Sequence, residues 1–409
     1  METGVYDLRL FREDQLVGQW PAQVADASDS DLQAWRSATR VCDAGESAAP
    51  TFTVRLPRNQ PGEGIEFSAY AFNADRVKSP AMSVEYRLPA DGAGAPAKAY
   101  LVTVGINAYQ SRQWDLNFAA NDARRIQDVV SQALQGYEVV PVSLISEYAS
   151  ETKRLGENTA TKANIHNTLK MLAGVPIDPA AQQHLPAALQ AATPDDVVLI
   201  FFAGHGYTDE AGTFYFFPHD IGTKRRRGEL PNDLLRRTIS SVELSSWLRP
   251  VDAGTIVIII DSCHSVGAVE PPGFKLGPFG SRGLGQLAFD KGMRVLAASQ
   301  TEGVALESAT IKQGLLTYAL VHDGLESGQA AQNGTITLSG WLKYGADRVP
   351  ELYREIIAGR LRSLRPKKPK ESSPPGAVQQ PSLFDFTKRS RPIALSLDSG
   401  SLPGDHNGG

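Results

Sequence analysis

Two reactive side chains stand at the ends of long apolar runs. His205 lies in VVLIFFAGHGYTD (Val197–Asp209), and Cys263 lies 58 positions further on in TIVIIIDSCHSVG (Thr255–Gly267). A cysteine thiolate attacks carbonyl carbon, and an imidazole beside it lowers the thiol pKa and later protonates the leaving amine. If the two runs are neighbouring parallel strands, both side chains emerge at one edge of one sheet. The glycines on either side of the histidine, Gly204 and Gly206, permit a tight turn. They also leave the Gly206 N–H approachable, so that with the Cys263 N–H it can form an oxyanion hole.

The surrounding pattern supplies such a sheet. YLVTVGI (Tyr100–Ile106) is a continuous apolar run of strand length, and Leu116–Leu134 places Phe118, Ile126, Val129, Val130 and Ala133 on one helical face. Further strands are expected at Tyr137–Ser146, Asp196–Ala203, Thr255–Ile260 and Arg294–Ala298. Helices are expected at Thr161–Ala173, Val242–Leu248 and Leu315–Leu325. Strands apolar on both faces that alternate with helices predict an α/β fold, a mostly parallel sheet flanked by helices, with ligands beyond the carboxyl ends of the strands.

Residues 1–89 read differently. Val5–Leu10, Thr51–Leu56, Ile65–Phe72 and Met82–Leu88 alternate apolar and polar residues between turn signals, which predicts a small β-sandwich accessory domain of Ig-like type. A small-residue linker, residues 90–98, separates it from the α/β domain at residues 99–364. Residues 365–409 comprise a basic, Pro-rich tether, a late edge strand at Ile393–Leu397 and a tail expected to be disordered. The long carboxy-terminal helix, Ser339–Leu364, is expected to break near Pro350.

Composition narrows the function classes. Lys and Arg number 41 against 45 Asp and Glu, a net charge of −4, which gives no overall electrostatic drive toward nucleic acid or anionic membrane. The two cysteines, Cys42 and Cys263, form neither a disulfide framework nor a zinc knuckle, so a reducing, cytoplasmic setting is expected. No metal and no organic cofactor are expected: the His and Cys spacing, His219 and His264 included, fits no zinc pattern, and no Asp-rich calcium loop is present. Calcium activation is left without support on this reading.

The segments YLVTVGINAY, LNFAANDARRI, VVLIFFAGHGYTD with FYFFPHD, TIVIIIDSCHSVG, RVLAASQTEGVALE and QQPSLFDF resemble the caspase-like cysteine peptidases, in particular the metacaspase and bacterial orthocaspase branch. The likeness runs from Tyr100 to about Phe386, with Val266 standing where many relatives carry glycine. It implies a caspase-hemoglobinase-like fold, a His205–Cys263 dyad, and Gly206 helping to bind the oxyanion. It also implies that Asp261, two residues before the nucleophile, lines the pocket for the residue before the cut. An acidic pocket favours Arg or Lys there and repels Asp. Glu302 matches a second, often acidic position. Asn121-Asp122 is read as helix scaffold rather than site.

The expected activity is therefore a cysteine endopeptidase cleaving proteins after Arg or Lys. As a zymogen it would be processed in its own basic loops, near Arg225, Arg226 and Arg227 or at Lys275 and Arg282. An activating protease, or a regulatory partner docked on the amino-terminal domain, is a further expected partner. The alternative is a catalytically silent scaffold of the same fold that acts in protein assembly.

Overall fold

The computed structural model describes residues 4–22, 32–90, 94–148, 155–209, 212–222, 232–264, 282–298, 313–358, 380–388 and 392–397. The amino-terminal period-2 runs form strands β1 (Val5–Arg12) and β2 (Gln15–Trp20), helix α1 (Leu32–Thr39), and strands β3 (Arg40–Cys42), β4 (Gly64–Phe72) and β5 (Met82–Arg87). They pair as one antiparallel sheet, β2-β1-β4-β5, with β3 also on β1. Among the described residues this one antiparallel sheet stands where the sequence predicted a β-sandwich. Thr51–Leu56, expected as a strand, joins no ladder. Its Phe52 ring instead fills the space above Gly18, where a Cβ would lie 2.5 Å from that ring. Trp35 of α1 supplies the cover a second sheet would have given, stacking on Tyr6 at 5.6 Å. Alternation reports a half-buried strand and is silent on what buries it.

The remainder alternates strand and helix. In chain order it runs β6 (Lys98–Ile106), α2 (Ala119–Ala133), β7 (Glu138–Tyr148), β8 (Leu155–Asn158), α3 (Lys162–Leu172), the short α4 (Pro179–Gln182), β9 (Val197–Thr208) and β10 (Phe214–Phe216). There follow the short α5 (Asn232–Leu235), β11 (Ile239–Ser240), α6 (Ser241–Leu248), β12 (Thr255–His264), α7 (Arg282–Lys291), β13 (Arg294–Ala297), α8 (Leu315–Tyr318), β14 (Ile336–Thr337), α9 (Leu338–Ile357), β15 (Ser382–Asp385) and β16 (Ala394–Leu395). The main sheet has the order β15-β13-β12-β9-β6-β7-β8, parallel from β13 to β7, with antiparallel edges. Because β9 and β12 are apolar at every position of their central stretches, and β6 at all but the buried Thr103, both sheet faces are buried. Helices α3, α6 and α7 cover one face, and α2, α8 and α9 cover the other.

Three details depart from the sequence reading. Both reactive residues lie inside their strands, because β9 and β12 continue past the apolar runs. Helix α9 runs unbroken through Pro350, since Val349, Leu352 and Ile356 bury the apolar stripe on either side of it. The late edge strand pairs with β14 rather than with the main sheet, whose β13 edge is instead taken by the unforeseen β15.

The two parts meet at the amino-terminal ends of β9 and β12. Arg9 reaches Asp290 at 2.8 Å and Arg12 reaches Asp252 at 2.8 Å. The buried Lys291 ammonium donates to the carbonyls of Val251 at 2.8 Å and Leu16 at 3.3 Å. No described helix is long and apolar enough to cross a membrane.

Candidate active site

Strand β9 lies between β6 and β12 at the centre of the sheet, and its parallel register with β12 runs from Thr255↔Val197 to His264↔Gly206. That register sets Cys263 directly opposite His205 at the carboxyl ends of both strands. The two positions thus share one sheet face at the edge where α/β folds place their chemistry.

The imidazole of His205 is 7 % exposed and boxed by aromatic rings: Tyr109 at 5.4 Å, with Trp114 and Phe217 each at 6.1 Å. Its Nε2 lies 2.8 Å from the Trp114 carbonyl oxygen. A carbonyl only accepts, so Nε2 carries the hydrogen and the neutral ring keeps its lone pair on Nδ1. That Nδ1 is buried and has no hydrogen-bond partner among the described residues. Burial pushes the His205 pKa down to about 4, and the bond to Trp114 opposes the shift only in part. The ring is therefore a neutral base at physiological pH, with its basic nitrogen uncommitted.

The loop between β6 and α2 holds this arrangement. Asn107 accepts the Ala120 N–H at the start of α2 and donates to the Asn117 carbonyl, while the Leu116 N–H returns to the Asn107 carbonyl at 2.9 Å. Trp114 is tied further by its indole N–H to the Gly222 carbonyl at 3.0 Å. Neither Tyr109 nor Trp114 stood out in the sequence. Trp114 acts through its main chain, which no residue pattern reports.

Asp261 lies on β12 two residues before Cys263 and is only partly buried; its Oδ2 accepts from the Thr317 hydroxyl at 3.0 Å. The buried Asp122, in the first turn of α2, takes the Gly314 N–H with both carboxylate oxygens at 3.1 Å. A Cβ built on Gly314 would stand 2.8 Å from Asp261 Oδ2 and 3.2 Å from Asp122 Oδ2. The two carboxylates therefore converge on one glycine, which brings Asp122 of α2 beside Asp261 of β12. The only sequence signal for it is an acid in a helix first turn, which ordinarily serves the helix dipole.

Several expected positions lie outside the described residues: Glu302, Arg225, Arg226, Arg227 and Lys275. Arg282 opens α7, the first described element after β12. His219 is buried, its Nδ1 at 2.7 Å from the Ala108 carbonyl, where it braces the β6–α2 loop. A cavity of about 780 Å³ opens at the opposite end of the sheet, lined among others by Glu13, Asp195, Asp196 and Thr255. Two of its acids serve the fold: Asp195 takes the N–H groups of Arg58 and Asn59, and Asp196 that of Lys98.

A family model described as "Caspase domain" matches residues 98–339, more than half of the chain. No curated protein matches. Among solved structures, one titled "structure of pro-sf-caspase-1" aligns at a TM-score of 0.37 and 9 % identity, over 74 % of this chain and 91 % of that one.

Proposed function

This chain belongs to the caspase-domain family, and we propose that it is a cysteine endopeptidase that cuts proteins after Arg or Lys through Cys263 and His205. The observation that carries the reading is the register that sets Cys263 opposite a histidine whose Nδ1 is uncommitted. In this reading the Cys263 thiol passes its proton to His205 Nδ1, and the thiolate forms a bond to the scissile carbonyl carbon. The oxyanion is held by the N–H groups of Gly206 and Cys263. Collapse breaks the C–N bond as the imidazolium, steadied by the Trp114 carbonyl, protonates the leaving amine. Water then hydrolyses the acyl-thioester.

Strand alternation supports the assignment of Gly206. His205 turns its N–H and C=O toward Tyr109 and Phe217, so the Gly206 N–H turns toward β12. The same alternation places that N–H within the β9–β12 ladder, so receiving an oxyanion requires the last pair, His264↔Gly206, to part. This favours a precursor that awaits a trigger. Cutting in the basic loops at Arg225–Arg227, Lys275 or Arg282 remains the proposed trigger, and Glu302 a proposed third acid of the pocket.

Asp261 and Asp122 support the basic preference, because two carboxylates around one glycine create a field that a guanidinium satisfies and a carboxylate does not. Fluorogenic peptides with Arg, Lys or Asp before the scissile bond test the reading. Hydrolysis of the Arg and Lys peptides is expected, with loss in Cys263→Ala and a raised KM in Asp122→Asn. Preference for Asp refutes the pocket, and hydrolysis surviving Cys263→Ala refutes the dyad. If wild type remains inactive after limited nicking and with calcium, the silent scaffold is the better reading.

A further inference from the structure

At residues 204 and 205 the central strand changes neighbours. On the side away from β12, β6 pairs with β9 as far as Gly105↔Ala203, and β10 takes over only at Phe216↔Gly206. Between these registers the Phe217 N–H reaches the His205 carbonyl at 3.0 Å. Among the described residues no strand supplies an acceptor for the His205 N–H. The Tyr109 hydroxyl does so instead, at 2.9 Å.

We propose that Tyr109 is the positioning residue for His205, its hydroxyl replacing the strand neighbour that β9 lacks there and its ring fixing the tilt of the imidazole. The proposal rests on the reading of His205 as the base. Three observations carry it. Tyr109 is 2 % exposed and its ring lies 5.4 Å from the imidazole at 33°, so one side chain grips both the backbone and the ring of His205. Gly204 makes room for the grip, because a Cβ there would stand 3.0 Å from the Tyr109 oxygen. The gripping residue is itself anchored: its N–H donates to Asp115 at 3.0 Å, and the adjacent Ala108 and Gln110 N–H groups reach the carbonyls of Ser146 and His219, each at 2.9 Å.

The loop thus restrains the histidine at two points. Trp114 sets which nitrogen carries the proton, and Tyr109 sets where the ring stands. A base held a fraction of an ångström out of line loses rate without losing substrate affinity.

Tyr109→Phe keeps the ring and removes the oxygen. On an Arg peptide its kcat is expected to fall about tenfold with KM unchanged. Gly204→Ala, which crowds the same oxygen, is expected to act in the same direction. Amide exchange at His205, followed in the Cys263→Ala background, is expected to quicken in both variants, and this arm needs no activity. An unchanged kcat with unchanged exchange overturns the proposal. So does a fall in melting temperature with kcat intact, which marks Tyr109 as packing only. Absence of hydrolysis in wild type would count against the dyad alone, and the exchange arm would still decide for or against Tyr109.

Discussion

At His205 two effects oppose one another. Burial disfavours the imidazolium, the Trp114 carbonyl favours it, and burial wins because one neutral acceptor replaces only part of the lost hydration. The folded pKa of about 4 lies below the ordinary 6.5, so the folded chain binds this proton less readily than the unfolded one. Stability owed to His205 is complete above pH 6.5 and drains as pH falls toward 4. NMR titration of Cys263→Ala protein is expected to place this imidazole near 4; a midpoint at 6.5 would mean a hydrated ring. The juxtaposition of His205 and Cys263 was legible in the sequence, because each follows an apolar run that only a buried strand explains. Asp122 was not. Its partner, the Gly314 N–H, is 192 positions away, and local pattern cannot join them.

The elements show why this close fit holds. Helix α2 lies against β6 because Gly105 has no side chain: a Cβ there would stand 2.6 Å from the Ala119 carbonyl and 2.7 Å from the Ala123 methyl. The contact brings Asp122 down beside β12. Gly105→Ala is expected to cost about 1–3 kcal/mol of stability in urea denaturation and to raise KM for an Arg peptide, since Asp122 moves with its helix. Unchanged stability would show that α2 can slide without penalty. The strand–helix alternation was readable from apolar runs that both sheet faces require, whereas β10, β11, β14 and β15 were not. These short strands owe their existence to pairing with distant residues, and Phe214–Phe216 or Ser382–Asp385 alone carries too few residues to announce a strand.

Across the whole molecule, the amino-terminal sheet is fastened to α7, the first described helix after β12, by Arg9–Asp290 and by Lys291. Burial pushes the Lys291 pKa down to about 8 from 10.5, with Asp252 opposing. Below pH 8 the ammonium is charged in both states and its burial penalty is fully felt; between 8 and 10.5 the folded state sheds the proton first, and stability owed to Lys291 rises. Urea midpoints for wild type and Lys291→Met should therefore shift relative to one another in favour of wild type across that interval. A constant difference would mean that water reaches the amine. At one edge of the main sheet, β15 lies antiparallel on β13. The chain's own carboxy-terminal segment thus occupies the row of amides and carbonyls that would otherwise offer a template to a neighbouring molecule. Edge-to-edge polymerisation through β13 is blocked unless β15 is first displaced, and an intruding strand must compete with one whose tether keeps its local concentration high.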